Sequence, residues 1–208
     1  MIYDDRFVWL HFPKCAGTKV ENLFRKYFSA QPGLFQDPVD PATDKAASWH
    51  DSLEKRELRD PAFSSQGRTV ICPIRKLPSW LMSRYNFECY RSPNLPHNPE
   101  LLLEGKFLES AGILNHADRY IDNYLPKSLL SSGMVRFLRT EYFEEDFVAL
   151  FGDYVDVARI PRGEFSEKVN TSPNYVPEEI QHRLFANRAV YEKCPEWRAV
   201  EALAYDSF

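Results

Sequence analysis

Three short apolar runs, each delivered to a turn and followed by a helical pattern, constrain the fold of this chain most. They are residues 7–12 (FVWLHF), 69–74 (TVICPI) and 134–139 (MVRFLR). Each has the length of a strand, and the first two are apolar almost throughout rather than at alternate positions. Strands of that kind are buried on both faces, as in a mainly parallel sheet covered by helices. The segments between them carry helical spacing. Over 17–28, Val20, Leu23, Phe24 and Tyr27 recur at the helical period. A second helix starts at Pro78, whose missing N–H costs nothing at a first helical position. More helix is expected over 99–124, then a helix N-capped by Thr140, then helices over 177–204. Strands alternating with helices predict an α/β fold, a three-layer α/β/α sandwich around the sheet. Residues 154–160 (YVDVARI) read as a further strand or extended piece. Residues 48–60 read as a short polar helix or turn, and 30–47 and 161–177 as loops. No repeat or linker interrupts the chain, so residues 1–208 read as one domain.

Composition narrows the function. Hydrophobic content of 44% allows a sizeable core, and a net charge of −4 argues against a general nucleic-acid binder. No apolar stretch reaches the roughly 18 residues of a membrane span. The opening MIYDDRFVWL lacks the features of a secretory leader, so a cytoplasmic protein without membrane insertion is expected. Cys15, Cys72, Cys89 and Cys194 form no CxxC pair and no zinc spacing. Reduced thiols and no metal follow from that.

In sheets of this type ligands bind beyond the carboxyl ends of the strands. Two cationic loops fall there. The first is Pro13-Lys14-Cys15-Ala16-Gly17-Thr18. A small loop opening a helix can turn backbone N–H groups inward, and the helix adds the positive end of its dipole. Lys14 adds a full charge and Thr18 a hydroxyl, which together suggest a bound phosphate. The order GxxxxGK[ST] of a nucleoside-triphosphate loop is absent, since Lys14 precedes Gly17. The second loop carries Arg75, with Ser83 eight residues on. Helical side chains lean toward the N-terminus, so Ser83 can point back at Arg75 and share a further phosphate. Two separated phosphate sites suggest a nucleotide phosphorylated at separate positions.

These residues resemble a known family. HFPKCAGTKVENLF resembles the 5′-phosphosulfate loop of sulfotransferases that use 3′-phosphoadenosine 5′-phosphosulfate (PAPS). IRKLPSWLMSRYNF resembles their 3′-phosphate motif. FLRTEYFEEDF and KVNTSP resemble later segments of the carbohydrate-type and related bacterial members. The resemblance implies a P-loop-like fold, PAPS as co-substrate, adenosine 3′,5′-bisphosphate as product, a small-molecule or carbohydrate hydroxyl (less readily an amine) as acceptor, and no metal. It implies Lys14, Cys15, Ala16, Gly17, Thr18 and Lys19 at the 5′ end, Arg75 and Ser83 at the 3′-phosphate, and Lys168, Asn170 and Ser172 in a late loop by the nucleotide. Lys14 also meets the charge that develops on the leaving phosphate. His50 is the first candidate for the base. It lies between the two motifs, where the family places its base, and imidazole suits the task. Glu54 is its rival, and Asp51 is an orienter whose adjacency to His50 argues against it. His11 reads as a packed strand residue, and His116 as structural or part of the acceptor cleft.

The chain departs from the family pattern. Cys15 and Ala16 stand for Thr/Ser and Gly, Lys19 for a small hydroxyl residue, and Lys76-Leu77 for the usual aspartate. Ala16 fits only with negative φ or tolerated strain. Lys19 contacts a phosphate oxygen or faces solvent. The alternatives are a P-loop kinase-like enzyme and a non-catalytic nucleotide-binding protein that keeps the fold.

Overall fold

The computed structural model of the chain describes residues 1–38, 48–167, 172–186 and 188–206. Its elements run β1 (Ile2–Tyr3), β2 (Phe7–Trp9), α1 (Gly17–Tyr27), β3 (Phe35–Gln36), α2 (Leu53–Arg59), β4 (Thr69–Ile74), α3 (Leu77–Arg91), β5 (Lys106–Leu108), β6 (Leu114–His116), α4 (Ala117–Tyr124), α5 (Lys127–Ser131), β7 (Val135–Arg139), α6 (Phe143–Phe151), α7 (Arg162–Ser166), α8 (Glu178–Ala186), α9 (Ala189–Lys193) and α10 (Pro195–Asp206). The chain gathers into two compact units, Met1–Ile74 with Lys127–Val169, and Arg75–Pro126 with Asn170–Phe208. The whole is a mixed α/β protein. No helix among the described residues is long and apolar enough to cross a membrane.

The first unit is built on a five-stranded sheet of order β3-β1-β2-β4-β7. The three apolar runs of the sequence are its parallel strands β2, β4 and β7. The short β1 adds an antiparallel ladder to β2 and to β3. β4 is buried along nearly its whole length, as a strand with neighbours on both edges and apolar cover should be. It also contains Pro73, which cannot donate to a ladder. The register explains its tolerance. Thr69 N donates to Arg6 O on the β2 side, Leu10 N donates to Ile71 O, and Val70 N donates to Met134 O on the β7 side. Successive residues therefore face alternate neighbours, and Pro73 faces β2 beyond its last paired residue, Trp9. No ladder bond is lost there.

Phenylalanines bind α1 and α6 to the sheet. Phe24 of α1 lies 5.0 Å from Phe151 and 6.0 Å from Phe147 of α6, centroid to centroid. Phe7 of β2 meets Phe151 edge-on at 5.8 Å, and Phe147 meets Phe165 at 5.5 Å. All are buried, with Val20, Leu23 and Leu138 in the same cluster. Each fully buried ring of this size contributes about 1.5–3 kcal/mol. Tyr27, the outermost of the four positions with helical spacing, is only half-buried.

Several expectations for this unit are corrected. Within the segments read as loops, Phe35–Gln36 form β3 and Arg162–Ser166 form α7. Thr140 does not cap α6; it opens a single 3-10 turn, and its hydroxyl donates to Ile74 O at 3.0 Å. The strand end is fastened instead by Asp146, which accepts from Arg139 N at 2.7 Å and from its guanidinium at 2.9 and 2.7 Å. Residues 154–160 form no strand. Val155 N bonds Phe151 O, Val157 N bonds Val155 O and Ile160 N bonds Val157 O, so local turns consume the backbone groups while Val155 and Ile160 enter the core.

The second unit packs helices around Trp80 of α3. Its indole lies 4.4 Å from Trp197, 5.2 Å from Tyr120 and 5.6 Å from Phe107. The helix expected over 99–124 is broken by a hairpin, β5 paired antiparallel with β6. Gly105 at φ 69° ends a 3-10 turn over Pro99–Glu104, and Gly112 at φ 74° turns the hairpin. Left-handed glycines at both points override the helical pattern. Arg84 joins the hairpin to α3 through Glu88 at 2.7 Å and Glu109 at 3.1 Å.

Phe24→Ala removes the ring shared by four aromatic neighbours. It should destabilise the protein by about 3–5 kcal/mol, measured by urea unfolding. A loss below about 1 kcal/mol would mean that the cluster can collapse around the gap.

Candidate functional site

The segment between β2 and α1 is set by the ladder that precedes it. After Leu10 N bonds Ile71 O, Phe12 N turns back to Leu10 O at 3.0 Å, and the chain leaves the sheet at Pro13. Lys14 and Ala16 then adopt left-handed φ, 63° and 62°, the only non-glycine residues to do so among those described. With Cys15 between them the handedness alternates, the backbone pattern of an anion nest. Such residues cost about 1–3 kcal/mol each and persist where the surroundings over-determine them. The strain at Ala16 is therefore tolerated, and the residue packs against the phenylalanine cluster. Cys15 is fully buried, so only its backbone faces the loop. Lys14 and Thr18 are half-buried.

Gly17 begins α1. Its φ is not positive. A Cβ built there would lie 2.1 Å from Nε2 of His11, so the imidazole occupies the space of a side chain. His11 is held by Glu21, one turn along α1: Nδ1 lies 2.6 Å from Oε1, and both side chains are buried. His11 is thus packed, as the sequence suggested. The bond to Glu21 was not foreseen, though an acid between Val20 and Leu23 on the apolar face of α1 is a legible signal for one.

His50 closes the arrangement. It ends a 3-10 turn over Ser48–His50, and its ring stands edge-on to that of His11, with centroids 4.2 Å apart at 81°. The structure therefore brings the candidate base, through His11, to the first residue of the candidate donor helix. Asp51 does not orient it. Its Oδ1 accepts from Arg59 at 3.1 Å, and burial pushes its pKa up despite Arg59 and Arg56. Glu54 is exposed in the first turn of α2.

Lys19 neither reaches for a phosphate nor faces solvent freely. Its ammonium donates to the main-chain carbonyls of Phe165 and, at 3.0 Å, Glu167. It also lies 4.7 Å from the centre of the Phe143 ring. Burial pushes its pKa down, against Glu167 and Glu144. Lys19 is a clamp from α1 to the end of α7. Lys168 and Asn170 lie outside the described residues, and Ser172 is half-buried.

In the second unit, Arg75 lies just before Lys76, the N-cap residue of α3. Its carbonyl accepts from the Trp197 indole at 3.2 Å, and Glu201 accepts from Leu77 N at 2.9 Å, capping the helix. Pro78 occupies the first turn of α3, one residue after its start, and Ser83, half-buried, the second. His116, Asp118 and Cys194 also converge there, within 4.8 Å. Their bonds are not those of a metal centre. His116 Nδ1 accepts from Asp118 N at 3.2 Å, so in the neutral ring the proton sits on Nε2, facing Cys194 Sγ at 3.9 Å. A histidine that ligates through Nε2 carries its proton on Nδ1 instead. The Asp118 carboxylate caps α10 through Trp197 N at 2.9 Å and Glu196 N at 3.3 Å. Burial, with Asp118 nearby, pushes the Cys194 thiol up to about 12. His116 is the N-cap of α4.

No family model, curated protein or solved structure matches the chain.

Lys19→Met keeps the apolar stem and removes the ammonium. The protein should lose about 1 kcal/mol of stability in urea unfolding, with nucleotide binding unchanged by calorimetry. Unchanged stability with lost binding would make Lys19 a ligand contact instead.

Proposed function

We propose that this protein is a sulfotransferase that moves a sulfuryl group from PAPS to a hydroxyl acceptor, on a P-loop-like three-layer α/β/α fold. The observation that carries the reading is the convergence in the first unit. The strained nest of Lys14 and Ala16 opens α1, and His50 stands against His11 at the same helix start. A cationic phosphate loop with an imidazole beside it is what in-line sulfuryl transfer needs.

In this reading the 5′-phosphosulfate lies on the loop from Lys14 to Thr18. The acceptor oxygen attacks sulfur, and its proton passes to His50. The bond from sulfur to the bridging oxygen breaks, and that electron pair leaves with adenosine 3′,5′-bisphosphate. Lys14 neutralises the charge growing on the bridging oxygen, where a preorganised cation is worth most. The step itself calls for no metal. Arg75 and Ser83 are assigned to the 3′-phosphate by the spacing of their motif. A nucleotide-binding protein without transfer chemistry is the second reading. It is favoured by the withdrawal of Lys19 from the loop and by Cys15 and Ala16 in the donor motif.

Calorimetry should find adenosine 3′,5′-bisphosphate binding far tighter than ATP or AMP. Arg75→Ala should weaken it by about 1.5–3 kcal/mol, the scale of a charge-assisted hydrogen bond. Equal affinity for AMP and the bisphosphate would remove the 3′-phosphate role of Arg75 and Ser83.

Transfer to phenols, sugars and small alcohols, followed with labelled PAPS, separates the two readings. Lys14→Ala should weaken donor binding and lower turnover together, because its charge acts in both ground and transition states. His50→Ala should leave donor affinity nearly unchanged and lower turnover about 10²- to 10⁴-fold. Tight donor binding with transfer to nothing would favour the second reading.

A further inference from the structure

We infer that His11 is a positioning residue that couples the start of the donor helix to His50, with Glu21 as its lock. The inference rests on the donor-loop reading for its use in catalysis, but its geometry stands on the packing of the first unit. His11 touches both sides. On one, its Nε2 fills the space a Gly17 side chain would need, 2.1 Å from the site of that absent Cβ. On the other, its ring meets that of His50 at 4.2 Å and 81°. An imidazole in such a place can rotate about its own bonds unless something holds it. Glu21 holds it through the bond to Nδ1 at 2.6 Å.

The lock belongs to the element it regulates. Glu21 lies four residues after Gly17, on the same face of α1, and both are buried. A shift of the first turn of α1 therefore moves both contacts of His11, the steric one at Gly17 and the bonded one at Glu21. The ring carries that shift to His50. Close packing allows little of it to be absorbed, because interiors transmit displacement rather than deform around it. Filling the donor loop would in this way adjust the candidate base, and an empty loop would leave it in its resting pose.

The imidazole signals of the whole protein test this. The chain has five histidines, few enough to assign each ring by single substitution in carbon–proton correlation spectra. Without ligand, Gly17→Ala should displace His11 and shift the His50 signal. In a His11→Ala background the same change at Gly17 should leave the His50 signal in place. Should Gly17→Ala fail to fold, Glu21→Gln weakens the lock at constant volume and should shift the His50 signal in the same dependence on His11. A His50 shift that persists without His11, or no shift with His11 present, overturns the inference.

Adenosine 3′,5′-bisphosphate supplies the second arm. In the wild type it should shift the His50 signal; in His11→Ala it should still bind, but the shift should be lost. Binding with no movement of His50 in the wild type overturns the coupling and leaves the donor reading intact. Absence of binding overturns the donor reading, and the ligand-free arm then judges His11 alone. With an acceptor in hand, His11→Ala should lower kcat about 10²-fold, the scale of a misplaced reacting group, with the KM for PAPS little changed. A purely structural role would lower the melting temperature and leave kcat normal below it.

Discussion

The bond between His11 Nδ1 and Glu21 Oε1 joins the segment after a strand to the second turn of the helix that follows it. A buried carboxylate must find a partner, and an isolated one would cost several kcal/mol. Here the partner is the residue just past β2, so the loop between them has both ends tied. Seen this way, the left-handed φ at Lys14 and Ala16 is a consequence. The chain must pass from Phe12 to Gly17 in four residues while α1 stays docked through Val20, Leu23 and Phe24. Gly17 is a consequence too, because the ring held by Glu21 leaves no room for a Cβ.

The phenylalanine cluster makes that constraint stable. Strain of a few kcal/mol in one loop is a large share of the 5–15 kcal/mol by which a domain is stable. It survives where the helix that imposes it is anchored by many rings at once. Phe24, Phe147, Phe151 and Phe165 anchor α1, α6 and α7 in one continuous cluster. Lys19 adds a polar tie to the same place, from α1 to the carbonyls of Phe165 and Glu167. A lysine at a helix end is favourable for its charge as well as its bonds. Lys19 is therefore part of the frame that supports the loop before α1.

The second unit follows a different logic. Its polar groups mostly hold helix ends. Glu201 caps α3, Asp118 caps α10 and His116 serves the start of α4. A histidine, an aspartate and a cysteine within reach of one another can look like ligands, yet each has a neighbour that fixes it as scaffold. His116 Nδ1 accepts from Asp118 N, and no sequence pattern contains that direction.

The parallel strands, α1 and α3 could be read from the chain, because continuous apolar runs and helical spacing report burial directly. The cationic loops at Lys14 and Arg75 could be read too, since each follows a strand. The hairpin inside 99–124 and the turns of 154–160 could not. Both depend on where backbone bonds are made, by left-handed glycines in one and by local turns feeding side chains to the core in the other. The candidate site divides in the same way. Residue type and spacing were enough to make Lys14 and Thr18 candidates for an anion site. Packing alone decided that Lys19 turns to carbonyls, that Asp51 goes to Arg59, and that His50 meets His11. Those contacts join residues 8 to 148 positions apart in the chain. Local propensity cannot encode them, because each depends on which surfaces the phenylalanine core brings together.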